Sequence, residues 1–502
     1  MMKVVFRVDA SVWIGSGHVM RCLVLADELA KNGHDVTFAC LPLEGDMRAF
    51  IGERGFNVIT LTAPDHVVKP AHDADYVAWL PKLIPDDAHD FINHVHEAEV
   101  VVTDHYAIEK QWHEIVRARL NCNIVAIDDL VRTHSADIII DQTLGRQASD
   151  YQALSANVLA GSDYALLSRP FSRQRECALS RTLTCRPPRV LISMGGIDAP
   201  NATLTVLKAI HPHVNVTFTV LLSSRAPHYH EVKQWCSNHD NVSHVDFVAD
   251  MASLMMSHDM AIGAPGTTSW ERACLGLPNI LVPLADNQKM VCEQLVKHNA
   301  AIKVTLDEIP TRLLHAYQST LNQWEAFKSA NLALCDGRGV KRAVFELEQL
   351  CVDNVNSYRL ERACSQQDIE LVYQWQCHPN TRKYALNPNT PTWEEHYSWM
   401  STKLQAFNDY FYMITARHSG KKVGAIRLDR QRADHYLVSI FIHPNNYGQG
   451  IGAQALAIID IIHPDVTVHA TVLKENIPSQ RLFQKAGYQQ TDEETYIRYP
   501  IQ

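Results

Sequence analysis

Short apolar runs that close abruptly on polar residues, each followed by an amphipathic stretch, constrain the first two thirds of this chain more than any other feature. KVVFRVDA (3–10) reads as a strand, HVMRCLVLADELAKNG (18–33) as a helix ending at Gly33, and DVTFAC (35–40) as the next strand. EVVVTDHY (99–106) and NIVAIDDL (123–130) repeat the form. Apolar runs of this length alternating with helices predict a parallel sheet covered on both faces. The pattern restarts after Pro187 and Pro188 with PPRVLISMGG, then VTFTVLLS, MAIGAPG and NILVPLA. Two such units in series predict two doubly wound domains facing one cleft, with ligand at the strand carboxyl ends. A third pattern starts near Ser357, where YFYMITARHSGKKVGAIRLD reads as a hairpin and YLVSIFIHP and VTVHATVL as further strands. The expected division is 1–168, 169–350 and 357–502, α/β throughout the first two and α+β in the third. At 46% hydrophobic and 20% charged, the 502 residues suffice for several cores and exclude a disordered or coiled-coil chain.

The densest chemistry lies in RVDASVWIGSGHVMRCLVLADELA (7–30). A strand ends at Asp9, and Gly15, Ser16 and Gly17 lead into a helix that opens near His18. Glycines let backbone N–H groups face a ligand, and a helix start favours negative charge. The same positive end disfavours an imidazolium, which suits His18 to a base's role. An isolated G-x-G-H would fit a capping or packing histidine equally well; its place at a strand-to-helix crossover favours function. Asp104, Asp128 and Asp129 also close strands, and capping of buried strand ends accounts for them as well as a metal site would. His89, His94 and His96 fit a solvated helix surface, so no metal site is predicted.

In the second unit, MGGIDAPNATL sets Gly195 and Gly196 between a strand and a helix that Asn201 can cap. DFVADMASLMMSHDMAIGAPGTTSWERACLGLPNILVPLADNQ (246–288) is the stronger signal. Gly263 and Gly266 open the backbone, and Thr267, Thr268 and Ser269 offer hydroxyls and N–H groups to a diphosphate at a helix start. Glu271 can accept hydrogen bonds from a ribose diol, or simply complement the helix dipole. In the third unit Gly448, Gly450 and Gly452 follow a strand and open a helix, a cradle for a pyrophosphate.

These residues resemble known families. RVDASVWIGSGHVMRCLVLADEL is similar to the start of the pseudaminic acid pathway hydrolases that cleave UDP from 2,4-diacetamido-2,4,6-trideoxy-β-L-altropyranose, which share the glycosyltransferase-B fold of the lipid II-forming N-acetylglucosaminyltransferase. The resemblance spans about the first 350 residues. It implies that His18 is the general base, that Tyr106 and Asn287 act with it, and that the reaction needs no metal. It further implies that Glu271 holds the uridine ribose, that uracil meets the backbone at Val248, and that Gln288 contacts the sugar. Gly17, Arg169, Gly266, Thr267 and Thr268 complete the expected substrate contacts. From Ser357 onward the chain resembles the GCN5-related N-acetyltransferases. That resemblance implies acetyl-CoA as co-substrate, held by Ile442, Gln449, Gly450, Ile451, Gly452 and Asn476. Tyr447 stands where the family usually has Arg or Gln, and Phe483 where many members have a tyrosine acid. The aromatic residues Trp375, Tyr384, Trp393, Tyr397 and Trp399 fit a sugar-stacking wall or a core.

The implied function is bifunctional: N4-acetylation of UDP-4-amino-4,6-dideoxy-N-acetyl-β-L-altrosamine, then hydrolysis to UDP and the diacetamido sugar. A UDP-sugar glycosyltransferase joined to a protein N-acetyltransferase is one alternative, although no apolar membrane-facing patch stands out in the first domain. A legionaminic-type hydrolase acting on another stereoisomer is the other. Forty-six basic against 55 acidic residues give a net charge of −9, which argues against nucleic acid or an anionic membrane as partner. Twelve cysteines without a C-x-x-C pair fit reduced thiols, and Arg7 and Asp9 interrupt any leader-like apolar run; the expectation is a cytoplasmic protein.

Overall fold

The computed structural model describes residues 1–72, 75–151, 157–183, 187–351 and 356–501, so the polar junction at 352–355 lies outside the described residues. Two compact units emerge, Met1–Cys351 and Val352–Gln502. In the first, β1 (Lys3–Val8), β2 (Asp35–Cys40), β3 (Asn57–Thr60), β4 (Val100–Asp104), β5 (Asn123–Ile127), β6 (Ile138–Asp141) and β7 (Asn157–Ala160) form a parallel sheet in the order β3-β2-β1-β4-β5-β6-β7. A second parallel sheet holds β8 (Arg189–Ser193), β9 (Thr217–Leu221), β10 (Val242–Val245), β11 (Met260–Gly263), β12 (Asn279–Leu281) and β13 (Ala301–Lys303), ordered β10-β9-β8-β11-β12-β13.

Strand order reverses direction between β1 and β4 in the first sheet and between β8 and β11 in the second. At such a switch point the loops leaving the two strands part, and the crevice between them is where open α/β sheets take ligands. The segment carrying His18 leaves β1 and His105-Tyr106 leaves β4, while Gly195-Gly196 leaves β8 and Ala264–Thr268 leaves β11. The sequence motifs therefore gather at two crevices by topology alone.

The strands are apolar because both faces are covered. Phe6, Phe38, Val102, Val125 and Ile140 pack with Leu23, Leu25 and Ala26 of helix Gly17–Lys31. Helix Gly339–Glu348 belongs by sequence position to the expected second domain, yet Val340, Ala343, Val344 and Leu347 are buried in this first core. The chain thus returns to its first sheet before the junction. The two halves also touch around their crevices. Arg225 Nη2 donates to Gly45 O at 3.0 Å, and a Cβ built on Gly196 would lie 3.7 Å from Ser16 Oγ.

The second unit is one mixed sheet: β14 (Tyr358–Arg362), β15 (Tyr410–Ala416), β16 (Lys422–Arg432), β17 (His435–Ile442), β18 (Thr467–Thr471), β19 (Gln489–Gln490) and β20 (Thr495–Arg498), ordered β14-β15-β16-β17-β18-β20-β19. The expected hairpin is β15–β16. Helices Gln366–Gln376 and Trp393–Gln405 cover one face, where Trp375, Met400, Phe411, Met413 and Ala425 pack together. Trp375 is therefore core. No helix among the described residues is long and apolar enough to cross a membrane.

Candidate functional site

Helix Gly17–Lys31 starts at the first crevice, and its first turns carry His18 and Arg21 three residues apart, hence on one face. Both reach Asp104, the last residue of β4. His18 Nδ1 lies 2.6 Å from Asp104 Oδ1, while Arg21 Nε and Nη2 donate to Oδ2 and Oδ1 at 2.6 Å each. Burial works to raise the Asp104 pKa, but Arg21 and His18 more than offset it and hold the carboxyl well below the usual carboxylate range. An ionised carboxylate only accepts, so the proton in the 2.6 Å contact sits on His18 Nδ1. In the neutral ring this tautomer leaves the lone pair on Nε2. The helix end that argued for a basic ring from sequence is joined here by an aspartate that orients it.

Arg21 also donates from Nη1 to Asp129 Oδ2 at 3.1 Å, and the Tyr106 hydroxyl donates to the same oxygen at 2.9 Å. Burial and the Asp129 carboxylate push the Tyr106 phenol well above its ordinary pKa, so it stays a neutral donor. One guanidinium thus locks the histidine and the tyrosine to each other through two carboxylates. The Tyr106 ring meets His18 edge-on at 4.6 Å between centroids, and Trp79 stacks on Tyr106 at 5.3 Å and lies 5.9 Å from His18. Tyr76 closes this aromatic wall at 4.9 Å from Trp79 and 4.8 Å from Tyr106. Buried Arg7, near the end of β1, pairs with Asp9 just beyond that strand and with Asp87 of helix Ile84–His94.

Sequence reasoning placed His18 and Tyr106 but missed Arg21, Trp79 and Tyr76, and it left Asp104 as a capping residue. The H-x-x-R spacing on one helix face was the available signal for Arg21. Trp79 and Tyr76 sit in a short 3₁₀ turn, Tyr76–Trp79, whose position no periodicity announces. Asp128 turns out to be structural, taking Arg132, His134 and Tyr151 around it. No group of three or more His, Cys, Asp or Glu that can hold a metal occurs among the described residues. Arg169 is not brought to His18. Its Nε lies 3.5 Å from Glu28 Oε2, ten residues along the same helix from His18 and so about 15 Å away.

At the second crevice, Gly263 ends β11 where a Cβ would fall 2.3 Å from Ser193 O, so only glycine lets β8 and β11 close at this height. Buried Arg272 donates to Ala264 O at 2.9 Å and to Ser269 Oγ at 3.3 Å, which pins the loop containing Gly266 and Thr267 ahead of helix Thr268–Cys274. Glu271 lies in that first turn with Oε2 buried and unpartnered. Burial pushes its pKa up to about 7. A buried carboxylate oxygen without a donor is costly unless a ligand supplies one. Val248 lies half-buried in the loop after β10, and Gln288 Oε1 accepts from Leu284 N at 2.8 Å, leaving its amide N–H groups for a ligand. Asn287 opens helix Asn287–Lys297; its side chain lies outside the described residues. Asn201 does not cap the helix it precedes. Its backbone is left-handed (φ 56°), and Asp198 accepts from Ala202 N and Thr203 N instead.

In the second unit, Gly448 and Gly450 have φ of 79° and 76°, the left-handed conformation that favours glycine, at the entry to helix Ile451–Ile462. Gln449 is exposed between them, Ile451 is buried, and a Cβ on Gly452 already lies 3.0 Å from its nearest side-chain carbon, Leu482 Cδ2. The twelve-residue helix presents its first N–H groups at the turn, which fits a diphosphate. Ile442 ends β17 beside it. Asn476 caps helix Ile477–Lys485, its Oδ1 accepting from Ser479 N at 3.2 Å. Tyr447 is exposed, its hydroxyl 3.3 Å from Thr381 Oγ1.

Comparison with known proteins agrees with both halves. Residues 191–334 match the glycosyltransferase family 28 C-terminal domain and residues 359–489 an acetyltransferase (GNAT) domain. A UDP-2,4-diacetamido-2,4,6-trideoxy-beta-L-altropyranose hydrolase of Campylobacter jejuni is 28% identical over 48% of this chain and 77% of its own. An uncharacterized protein of Methanocaldococcus jannaschii is 23% identical over 98% of this chain and 97% of its own, so the two-part arrangement recurs whole. The crystal structure of the kitacinnamycin glycosyltransferase covers 70% of this chain and 98% of its own at 14% identity, with a TM-score of 0.50, a likeness of fold. The chain is therefore a fusion of a glycosyltransferase-B-like region homologous to the UDP-diacetamido-altropyranose hydrolase with a C-terminal GNAT acetyltransferase domain.

Proposed function

We propose that the chain is a bifunctional nucleotide-sugar enzyme of pseudaminic acid biosynthesis. The C-terminal domain transfers acetyl from acetyl-CoA to the 4-amino group of UDP-4-amino-4,6-dideoxy-N-acetyl-β-L-altrosamine. The first unit then hydrolyses that product to UDP and 2,4-diacetamido-2,4,6-trideoxy-β-L-altropyranose. The observation that carries the hydrolase reading is the Arg21–Asp104–His18 chain, which leaves Nε2 as a base. Nε2 takes a proton from water as the water oxygen bonds to the anomeric carbon. The bond from that carbon to the UDP oxygen breaks on the opposite face, inverting the centre. The charge gathering on UDP is met by the N–H groups at Thr267 and Thr268, while the ribose hydroxyls donate to Glu271. The apolar wall of Trp79, Tyr76 and Tyr106 suits the deoxy and acetamido methyl groups of such a sugar.

In the acetyltransferase domain the Gly448–Gly450 turn and the start of helix Ile451–Ile462 hold the acetyl-CoA diphosphate. Bound acetyl-CoA supplies the thioester; the chain supplies the cradle and aligns the acceptor amine. The test is UDP release from the 4-amino UDP-sugar with and without acetyl-CoA. Release that requires acetyl-CoA, with CoA appearing alongside, is the expected result. Acetylated product that accumulates without UDP release would refute the hydrolase half.

One observation favours a second reading, a glycosyltransferase acting on a membrane-borne acceptor. The first half exposes the apolar side chains Trp13, Val67, Val68, Val77 and Leu83. UDP release that depends on an added lipid acceptor would decide for it.

A further inference from the structure

The acetyltransferase half has to move a proton, and the usual means is missing. Phe483 has no hydroxyl, and its ring is buried against Tyr488 and Tyr496. Strand pairing shows where the proton has to move. β17 pairs with β18 only over His435–Leu437 opposite Thr467–His469. Beyond that, Val438–Ile442 keep their β16 partners while β18 continues against β20 alone. The open edge of five residues is about 16 Å long and begins beside the Gly448–Gly450 turn. An extended arm anchored by its diphosphate at that turn can add along this edge as a strand would, and its far end then arrives at the fork between Leu437 and His469.

Register decides which side chains stand there. Arg427 lies opposite Ser439 and Asp429 opposite Leu437, so these four share a face. His469 lies opposite Leu437 and His435 precedes it by two, which places both rings on the same face. This is the face that helices Gln366–Gln376 and Trp393–Gln405 cover over β15 and β16. Near the fork, Asp429 already accepts from Lys403 Nζ at 2.8 Å and Arg427 Nε at 2.7 Å, and Asp409 accepts from Lys403 at 2.7 Å; farther along the same face Glu361 is paired with Arg359 and accepts from Thr415 Oγ1, and Lys422 donates to Asp368. His443 stands at the wide end of the wedge with Nδ1 accepting from Asn445 N at 3.1 Å. His435 and His469 stand at the fork itself. His435 Nδ1 and His469 Nε2 are 2.8 Å apart, a contact that holds one proton. Arg432 Nη2 lies 3.2 Å from His435 Nε2. Because Nε2 of His469 is engaged with His435, its Nδ1 is the nitrogen a ligand can use.

We propose that His469 is the proton carrier of the acetyltransferase, held by His435 as a positioning residue. The proposal rests on the reading that this domain acetylates an amine. With Arg432 released from His435, so that Nδ1 of His469 carries the lone pair, the neutral amine nitrogen attacks the thioester carbonyl and forms the N–C bond, and its proton passes to that Nδ1. The C–S bond then breaks, and the same proton returns to the thiolate sulfur. Amide and CoA thiol leave, and His469 is neutral again. Burial, His435 and Arg432 lower the His469 pKa, which keeps the ring unprotonated before the amine arrives. The Arg432 contact selects between the two tautomers. While the guanidinium donates to His435, the pair presents an N–H at His469 Nδ1; when it lets go, the pair presents a lone pair.

Full-length protein with ¹⁵N-labelled histidine, titrated with CoA, tests the location without any acceptor, the His469 signals being assigned by His469→Gln or, should that variant fold poorly, His469→Asn. The expected result is a shift of the His469 ring nitrogens on CoA binding. With UDP-4-amino-sugar as acceptor, His469→Gln is expected to lower the kcat of acetyl transfer at least 100-fold while CoA affinity changes less than threefold. His435→Gln is expected to lower kcat about tenfold and to change the tautomer signature of the His469 ring. Ring signals that ignore CoA, or a His469→Gln rate within threefold of the parent, would overturn the assignment. A parent protein that leaves this sugar unacetylated would refute the acceptor reading alone, since the CoA-induced ring shift still decides where His469 stands.

Discussion

Replacing Asp104 by asparagine removes one negative charge and almost no volume, and the structure says what that charge does. Asp104 accepts from His18 Nδ1 and twice from Arg21, all at 2.6 Å. A hydrogen bond to a charged group contributes roughly 1.5–3 kcal/mol, so losing the one that orients His18 corresponds to about 10- to 150-fold in kcat. Tautomer adds to this. The asparagine must present an N–H toward either His18 or Arg21, and Arg21 has only donors to offer. Its oxygen therefore turns to Arg21 and its N–H to His18 Nδ1, which forces the ring proton onto Nε2 and removes the base. The equivalent change beside a protease histidine costs about 10⁴. The expected loss is about 10²–10⁴ in kcat for UDP release from the pre-acetylated sugar, with KM within threefold, because Asp104 is buried away from the nucleotide clamp. Arg21 keeps Asp129 as counterion, so the unit should lose about 3 kcal/mol in urea unfolding and still fold. Acetyl transfer should be untouched. A kcat within fivefold of the parent, or an effect confined to KM, would refute the dyad.

The other predictions test separate parts. His18→Ala should abolish UDP release and leave acetyl transfer intact; loss of both activities would refute independent sites. Tyr106→Phe removes the hydroxyl held by Asp129 at 2.9 Å and should lower kcat about tenfold without changing urea stability by more than about 1 kcal/mol, measured on the pre-acetylated substrate. Glu271, raised by burial to about 7 from an ordinary 4.5, binds its proton more tightly folded than unfolded. Nucleotide-free protein should therefore lose stability as pH rises from about 5 through about 7, and Glu271→Gln should flatten that slope in thermal melts. Ribose hydroxyls donate to the ionised form, so affinity for an intact UDP-sugar should rise across the same interval in the parent and not in the variant. Gly450→Val puts a branched side chain at φ 76° and should weaken acetyl-CoA binding at least tenfold, measured by titration calorimetry, while hydrolysis of pre-acetylated sugar continues.

What was legible in the sequence was whatever a strand or helix start announces. The alternation of apolar runs disclosed both parallel sheets, and strand ends beside glycine turns disclosed the loops at the two switch points, because topology puts such loops together whatever their length. His18, Tyr106, Glu271 and the Gly448–Gly450 turn all sit one step from a regular element. Trp79 and Tyr76 were illegible for the opposite reason, since a 3₁₀ turn in a long connection has no period to read. Asp104 was visible and misweighed. A carboxylate that closes a strand looks alike whether it caps backbone or holds a histidine, and only the distance to a helix 83 to 86 residues away in sequence separates the two. Ile442 was expected at the acetyl-CoA site, but the narrow end of the fork between β17 and β18, at Leu437 and His469, depends on register, which composition does not encode.

The pairing of Arg169 with Glu28 bears on how the first unit works. Glu28 sits near the far end of the helix that begins at His18, and two cations reach it: Lys341 Nζ at 2.9 Å and Arg169 Nε at 3.5 Å. Arg169 opens helix Arg169–Leu179, whose Arg175 is bonded to Cys274, Leu332 and Cys335 carbonyls in the second half. Lys341 lies on the helix that returns to the first core. Both segments that join the halves are thus tied to one carboxylate on the helix that aims His18. A helix is stiff over this length, so a change in the angle between the halves is passed to His18 at its other end about 15 Å away. Closing the crevice on a UDP-sugar held by the second half would then set the base as well as exclude water, and Glu28→Gln should lower kcat for UDP release several-fold through a residue that touches no substrate. Weaker UDP binding by the Glu28→Gln variant with kcat unchanged would instead make Glu28 a plain structural tie.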